Sequence, residues 1–437
     1  MLSLSGLLVI TYVYRHTIVA STSFYNSFIP DLEPIDIPFQ QQQHQAFLSS
    51  LKYKNRYKSL SLQYNQQITE KKQVENHLYR HLDDPYDFDT EIPGDTWTEL
   101  PARGVVYLLV RNEDLPKVRL TMREFLDRMK ATTNVRNNTY PWVFLSAQKF
   151  TPDFKKYVSS MIPSDEFKGR RVFFGQIDLE AWSSPEWIDT TRTEEGIMKQ
   201  ILAQQSLKNV DSLTKKQKMR YQTGLFFYHP LFDNVEYVLR LEPGASFPCD
   251  ITTDPFETMK KKNKKLGMHS FLNSSFILPA HETIHPWLFN SYNETVQYNF
   301  CHFSTAFEMV NLDFLKSEQY SKFFQYLDLV GGFFYERWSD GAIRTIAASL
   351  FLQKDNIHFF NNIGYSYANT QHCPFDNKSM DQCLCDMKQN TNLKRNSCTL
   401  SLLKHIDTQQ LANIKRLVLD RLPEMIRYRK KSKTVNQ

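Results

Sequence analysis

Glu242 is a candidate metal ligand because of its position in the sequence. It ends an apolar run of strand type and stands before a proline in the text RLEPGASFPCD, which begins at Arg240. A carboxylate at a strand end before a proline turn could ligate Mg²⁺ or Mn²⁺ that bridges a nucleotide diphosphate. The alternative is a salt bridge between Arg240 and Glu242, and spacing alone favours that salt bridge.

Two further acids lie in aromatic surroundings. Glu308 lies in the apolar text YNFCHFSTAFEMVN, where a carboxylate needs a function or a partner such as a core arginine, because burying it unpaired is costly. Asp340 lies in YERWSDGAI, which begins at Tyr335. Aromatic faces beside carboxylates suit sugar rings, so Tyr335 is a candidate donor contact. The alternative is a core aromatic cluster with an internal ion pair.

Other motifs predict no function. Asp87 and Asp89 have the DxD spacing of many sugar transferases, but no strand precedes them, so we assign them to an acidic linker. The lysine-rich run 260–265 and the basic tail 427–433 do not interleave with aromatic residues as a nucleic-acid groove would. The net charge of +6 is too small to predict nucleic-acid binding. The sequence contains no P-loop, GxSxG, HExxH or kinase motif.

The elements that must position these residues alternate between two patterns. Helical patterns begin near residues 116, 151 and 212, and apolar runs predict strands near 104–110, 140–145, 171–177 and 235–241. This alternation predicts an α/β domain with a largely parallel sheet. Ligands of such sheets bind beyond the carboxyl ends of the strands, which gives weight to residues 111–114 and 242–250.

The chain divides into three parts. Residues 1–20 contain an uncharged apolar run, Leu2–Tyr14, which as a helix would span about 20 Å and predicts a weak signal-anchor or signal segment. Residues 21–100 are polar and marked by prolines, which is typical of a stalk. Residues 101–437 form the predicted folded domain.

The cysteines predict disulfide bonds. All six lie in the second half of the chain, and Cys383 and Cys385 form a CxC that fits bonds to two different partners. Their spacing leaves the pairing open. Four Asn-x-Ser/Thr sequons accompany them and favour the secretory pathway; they begin at Asn137, Asn273, Asn293 and Asn377.

Six ordered blocks between about Arg103 and Thr399 resemble the fungal KTR family of Golgi α-mannosyltransferases. They read GLFFYHPLFDN, RLEPGASFPCDITTDPF, YNFCHFSTAFE, SEQYSKFFQYLDLVGGFFYERWSDG, DNIHFFNNIGY and HCPFDN. The resemblance implies a type II membrane anchor, a stalk and one luminal GT-A-like domain with a mixed, mostly parallel sheet. Family members transfer mannose from GDP-mannose, with Mn²⁺, to mannose-terminated N- or O-linked glycans of glycoproteins, and they retain the α configuration.

The resemblance also implies roles for individual residues. Glu242 matches the acid of the family's metal motif, and Glu308 matches the glutamate proposed as nucleophile or as stabiliser of a front-face transition state. Asp340 matches an acid expected near the acceptor. Arg111 and Arg220 match arginines expected near the phosphates or nucleotide of the donor.

This chain departs from the family pattern at several positions. Tyr367 stands where members usually have a histidine as second metal ligand. Ser304 replaces a tryptophan, Ser274 replaces an acidic residue, and Lys215 replaces a tyrosine. These departures predict a divergent member with altered metal dependence, an altered acceptor, or lost activity.

Three functions therefore remain open. The chain could transfer mannose, or it could transfer mannose-1-phosphate to a glycan. It could also be a catalytically inactive subunit that binds glycans or organises a complex. The retained acids Glu242, Glu308 and Asp340 favour catalysis, whereas Tyr367 favours the inactive subunit.

Overall fold

A computed structural model of the chain describes residues 91–98, 100–130, 139–162, 171–203, 212–273, 289–292, 295–298, 301–336, 338–375, 377–380, 383–394 and 397–416. The predicted anchor at 1–20, the stalk up to residue 90 and the basic tail lie outside these residues. Within these ranges, no helix is long and apolar enough to cross a membrane.

The domain is built on a seven-stranded sheet. The strands in chain order are β1 Gly104–Leu109, β2 Trp142–Ser146, β3 Val172–Gln176, β4 Tyr237–Leu241, β5 Leu266–Met268, β6 Phe271–Asn273, β7 Phe289–Tyr292, β8 Thr295–Tyr298, β9 Cys301–Phe303, β10 Phe307–Asn311, β11 Ile357–Phe359, β12 Tyr365–Tyr367 and β13 Thr370–His372. Seven of these strands form the main sheet, in the order β11-β5-β10-β4-β1-β2-β3. Strand β10 is antiparallel to both its neighbours, and all other pairs of the main sheet are parallel. This confirms the predicted mixed, mostly parallel sheet and the four predicted strands.

Helices cover the sheet. They are α1 Leu115–Lys130, α2 Pro152–Ser159, α3 Leu179–Trp182, α4 Thr190–Ala203, α5 Leu213–Gly224, α6 Pro255–Lys261, α7 Leu312–Leu315, α8 Glu318–Val330, α9 Gly332–Tyr335, α10 Asp340–Phe351, α11 Asn377–Met380 and α12 Thr399–Ile406. Side-chain caps set where several of them begin. Ser212 accepts a hydrogen bond from the Lys215 amide at α5, and Ser339 accepts one from the Ala342 amide at α10.

Both faces of the sheet are buried, which explains why β1 reads as a continuous apolar run. Val105 and Tyr107 point into one hydrophobic core, while Val106 and Leu108 point into a second core on the opposite face. Alternate residues of a strand face opposite sides, so a strand covered on both sides must be apolar throughout.

Three disulfide bonds connect the second half of the domain. Cys383 is bonded to Cys249 and Cys385 to Cys373, so the CxC joins two different partners as predicted. The third bond links the cysteines at positions 301 and 398. No cysteine is free, and all six lie in the described residues.

Residues that precede the predicted boundary at residue 101 also pack on the domain. Ile92 and Trp97 are buried in the first core, and the Trp97 indole donates a hydrogen bond of 3.2 Å to the Gly104 carbonyl. Composition did not reveal this because two isolated apolar side chains in an acidic, proline-marked stretch form no periodic pattern. The last residues of the predicted stalk therefore pack on the domain.

Replacing Trp97 with alanine tests this packing. Losing a buried indole should lower the free energy of unfolding by about 3 kcal/mol or more, measured by denaturant titration. Leu120→Ala on α1 is the control, because Leu120 is half exposed and should change stability by under about 1 kcal/mol. Equal effects of the two substitutions would contradict the inclusion of residues 91–98 in the domain.

Candidate active site

A tight turn holds Glu242 at the carboxyl end of β4. Pro243 and Gly244 occupy the centre of the turn, and the Ala245 amide donates a hydrogen bond of 3.0 Å to the Glu242 carbonyl. Gly244 has φ of 91°, which is the third-position requirement of a type II turn. Thr121 of α1 accepts from the Gly244 amide at 3.0 Å and donates to the Ala245 carbonyl at 2.9 Å. The backbone around the carboxylate is therefore fixed from two sides.

Arg240 brings the three predicted acids together. It is 2% exposed and lies directly opposite Glu308 in the antiparallel register of β4 and β10. One guanidinium nitrogen donates to Glu242 Oε1 at 2.9 Å, and the other donates to Asp340 Oδ2 and lies 3.8 Å from Glu308 Oε2. We call Glu242, Glu308 and Asp340 the carboxylate cluster. The alternative salt bridge between Arg240 and Glu242 is thus present within it.

A second arginine fixes one oxygen of Glu308. Arg344 follows Asp340 by one turn of α10, and its Nε donates to Glu308 Oε1 at 2.8 Å. Its other nitrogens donate to the Tyr320 hydroxyl and, at 3.1 Å, to the Gln222 carbonyl. Glu308 Oε2 accepts no hydrogen bond from any described residue, although it is buried. The predicted pairing with a core arginine therefore engages one oxygen of this acid and leaves the other available.

Lys218 of α5 supplies the third cation of the cluster. Its Nζ lies 2.8 Å from Glu242 Oε2. Burial alone would raise the pKa of Glu242, but Lys218 and Arg240 hold it below its ordinary value. Burial likewise opposes ionisation of Asp340, and Arg240 holds its pKa below the ordinary value. Both carboxyls are therefore ionised near neutral pH.

Tyr367 lies beside Glu242. Strand β12 carries it to the segment after β4, where Ser246 and Ser366 exchange backbone hydrogen bonds of 2.8 and 2.9 Å. Burial and then the charge of Glu242 raise the pKa of Tyr367 to about 12, so its phenol stays neutral at pH 7. The tyrosine that is predicted to replace a metal-binding histidine therefore lies near Glu242, the predicted acid of the metal motif.

A divalent ion fits this site only when a diphosphate supplies ligands as well. Among the described residues, no group of three or more His, Cys, Asp and Glu side chains could hold a metal. Glu242 offers a carboxylate with one hydrogen bond to each oxygen, which leaves lone pairs for a metal. In the part of the chain that the structure describes, Glu242 is thus the charged ligand that we assign to a metal, and oxygen atoms of a bound ligand would complete the coordination.

Arg111 lies at the same edge of the sheet as Glu242. Strands β1 and β4 are parallel with Tyr107 opposite Arg240, so the chain after each strand emerges at one edge. The Arg111 side chain is exposed, with its Nε 3.7 Å from Glu113 Oε2. Lys117 adds a cation nearby, because its side chain packs within 3.6 Å of the position that a Gly244 Cβ would occupy.

Two predicted donor contacts lie outside the cluster. Arg220 is buried and makes a two-bond pair with Asp328, with distances of 2.7 and 2.9 Å. Tyr335 accepts a hydrogen bond of 2.8 Å from the Asp189 amide, and the Arg192 guanidinium lies 4.1 Å from its ring centroid. Both side chains are engaged in packing neighbouring segments.

Sequence reasoning missed Lys218 and Arg344. Lys218 stands two residues before Arg220, and residues two apart on a helix point about 200° apart, so only one of them can face the cluster. The signal for Arg344 is its position four residues after Asp340, which puts both on one face of a helix. No sequence signal distinguished Lys218 from the other lysines of α5.

Comparison with known proteins identifies relatives of this chain. A family profile described as glycolipid 2-alpha-mannosyltransferase matches residues 49–275 and 268–408. The O-glycoside alpha-1,2-mannosyltransferase omh1 of Schizosaccharomyces pombe is 36% identical over 308 residues, which cover 66% of this chain and 75% of that protein.

Solved structures share the fold. The mannosyltransferase Ktr4p of S. cerevisiae in complex with GDP has a TM-score of 0.63 and 29% identity, with coverage of 80% of this chain and 93% of that one. Core-mannan synthase A of Aspergillus fumigatus in its Mn/GDP form has a TM-score of 0.60 and 27% identity, with coverage of 73% and 89%.

Replacing Asp340 with asparagine tests the electrostatics of the cluster. Because the pKa of Asp340 is lower in the folded state, its ionised form stabilises the fold above its unfolded pKa of about 4, and this stability is lost as pH falls through the folded pKa. Asp340→Asn should lower the free energy of unfolding by about 3 kcal/mol at pH 7 and weaken its decline below about pH 4.

The control is Asp127→Asn, whose exposed pair with Arg123 should contribute less than about 1 kcal/mol. Denaturant titrations between pH 3 and 7 provide the measurement. An unchanged pH dependence in Asp340→Asn would show that this acid does not titrate with folding.

Proposed function

The chain belongs to the glycolipid 2-alpha-mannosyltransferase family, and we propose that the carboxylate cluster is its active site for retaining transfer of mannose from GDP-mannose. The chain is an α-mannosyltransferase. The observation that carries the proposed site is the convergence of Glu242, Glu308 and Asp340 on Arg240, at the sheet edge where α/β proteins bind ligands.

The donor's diphosphate is proposed to lie beyond Glu242. Arg111, Lys117 and Lys218 provide positive charge at this edge of the sheet, which favours a departing diphosphate. Structures of relatives with GDP and with Mn and GDP support this choice of donor and of Mn²⁺. Glu242 would hold the Mn²⁺ together with diphosphate oxygens, and the ion would supply further charge neutralisation.

Glu308 is the proposed stabiliser of charge at the anomeric carbon. Arg344 fixes its Oε1, which orients the carboxylate, and its Oε2 is available to the oxocarbenium-like charge that develops as the bond from mannose to diphosphate breaks. Asp340 is proposed to orient the acceptor hydroxyl. The new glycosidic bond forms at this hydroxyl, and its proton passes to the departing diphosphate.

The relatives and the disulfide bonds support a proposal for the acceptor and for the location. We propose mannose-terminated N- or O-linked glycans of glycoproteins, including cell-wall mannan, as acceptors. Three disulfide bonds support an oxidising compartment, and we propose the Golgi lumen. Residues 1–20 would anchor the chain in the Golgi membrane as a type II protein, and no nucleic acid is expected as a partner.

A product assay separates the remaining alternatives. The full chain is incubated with GDP-mannose, Mn²⁺ and an α-mannobiose acceptor, and products are identified by mass and by acid lability. A neutral trisaccharide is the expected product. A phosphodiester would indicate transfer of mannose-1-phosphate. Absence of product, together with intact GDP binding, would favour an inactive subunit of the same fold.

Glu308→Gln tests the catalytic assignment. The amide cannot offer negative charge to the transition state, so turnover should fall by about 100-fold or more while GDP affinity changes little. The measurements are steady-state kinetics and GDP calorimetry. Glu318→Gln on the exposed face of α8 is the matched control and should retain full activity. A folded and fully active Glu308→Gln protein would end the assignment.

Tyr367→His tests the metal site. An imidazole can act as a neutral ligand at pH 7, whereas the protonated phenol is a poor one, so Mn²⁺ affinity in the presence of GDP should rise about tenfold. Glu242→Gln should lower this affinity, because it removes the charged ligand. Calorimetric Mn²⁺ titration of GDP-saturated protein gives both values. Unchanged affinity in Tyr367→His would place this residue outside the metal's reach.

A further inference from the structure

Lys218 differs from the other two cations of the site in its freedom to change partner. Its side chain is 29% exposed, whereas those of Arg240 and Arg344 are 2% and 0% exposed. Both arginines are fixed by several hydrogen bonds. Lys218 has Glu242 Oε2 as its one hydrogen-bond partner within the described ranges. An ammonium group has three donors, so Lys218 retains capacity for two more acceptors.

Lys218 lies at the edge of the sheet where the diphosphate is proposed to bind. Its Nζ lies 2.8 Å from Oε2 of Glu242, the carboxylate that we propose as metal ligand. Among the described residues no group of three or more acidic, histidine or cysteine side chains forms a metal site there, and Arg240 already donates a hydrogen bond to the other Glu242 oxygen. A flexible, partly exposed cation therefore stands beside a weak metal site.

We propose that Lys218 is a tethered counter-ion for the donor's diphosphate. Its ammonium bridges Glu242 and phosphate oxygens, so this chain keeps much of its affinity for the nucleotide diphosphate when no divalent ion is bound. This inference rests on the proposed function, since it takes the donor to be a nucleoside diphosphate sugar. It also makes Lys218 a competitor of Mn²⁺ at Glu242 Oε2, because both cations are attracted to the negative charge of the same carboxylate oxygen.

Two consequences follow from this arrangement. Removing the lysine's charge should weaken nucleotide binding most when no divalent ion is present, since nothing then replaces it. The same change should strengthen the effect of Mn²⁺, since Glu242 Oε2 becomes available to the metal. If Lys218 only contributed to the packing of α5, its replacement would neither weaken GDP binding without a divalent ion nor strengthen the effect of Mn²⁺.

The experiment is GDP calorimetry on the full chain, with a chelator and with Mn²⁺. Wild-type protein should bind GDP in chelator within about tenfold of its affinity with Mn²⁺. Lys218→Met, which keeps most of the side-chain length, should weaken binding in chelator by about 10- to 100-fold and should lose less with Mn²⁺. Lys218→Arg, which keeps the charge, should restore most of the affinity in chelator.

The matched control is Lys322→Met on α8, an exposed lysine paired with Glu318, which should bind GDP as wild type does. Thermal melting confirms that each variant is folded. Wild-type binding that requires Mn²⁺, or equal affinity of Lys218→Met and wild type in chelator, would overturn the role of Lys218. A wild-type chain that binds no GDP even with Mn²⁺ would instead refute the proposed donor.

Discussion

The buried guanidinium of Arg240 is the interaction on which the site depends. A charge buried this deeply is costly unless it is paired, and Arg240 is compensated only when β4, β10 and the start of α10 come together with Glu242, Glu308 and Asp340. The reverse also holds, because three carboxylates this close would repel one another without it. Folding of the sheet and assembly of the site are therefore one event.

A glycine allows the start of α10 to lie close to β9. Gly341 follows Asp340, and a Cβ there would lie 2.5 Å from the Phe303 carbonyl oxygen of β9. The missing side chain lets α10 begin against β9 and brings Asp340 to Arg240. Within the resulting cluster the two oxygens of Glu308 have different environments, since Arg344 holds one and the other accepts no hydrogen bond in the described part of the chain. One acid thus both contributes to the fold and remains available for chemistry.

The predictions from sequence were most accurate where the residues next to one another in the chain determine the structure. Apolar runs located the strands, and the position of Glu242 after β4 placed it at the ligand-binding edge. They were weaker where the outcome depended on helix rotation. For example, α5 turns Arg220, the predicted donor contact, toward Asp328 and turns Lys218 toward Glu242. A rotation of α5 by half a turn would exchange the side chains that face Glu242, and the spacing of residues along the chain does not predict this rotation.

The sequence by itself determined the type of fold, the family and the three acids, because hydrophobic pattern and ordered motifs are local properties of the text. The tertiary structure alone decided that Arg240 meets Glu308 and Asp340, that Lys218 meets Glu242, and how the six cysteines pair. Each of these is a contact between segments far apart in sequence, as for Cys249 with Cys383, 134 residues away. Such contacts depend on sheet order and helix rotation, which are settled only when the whole core packs.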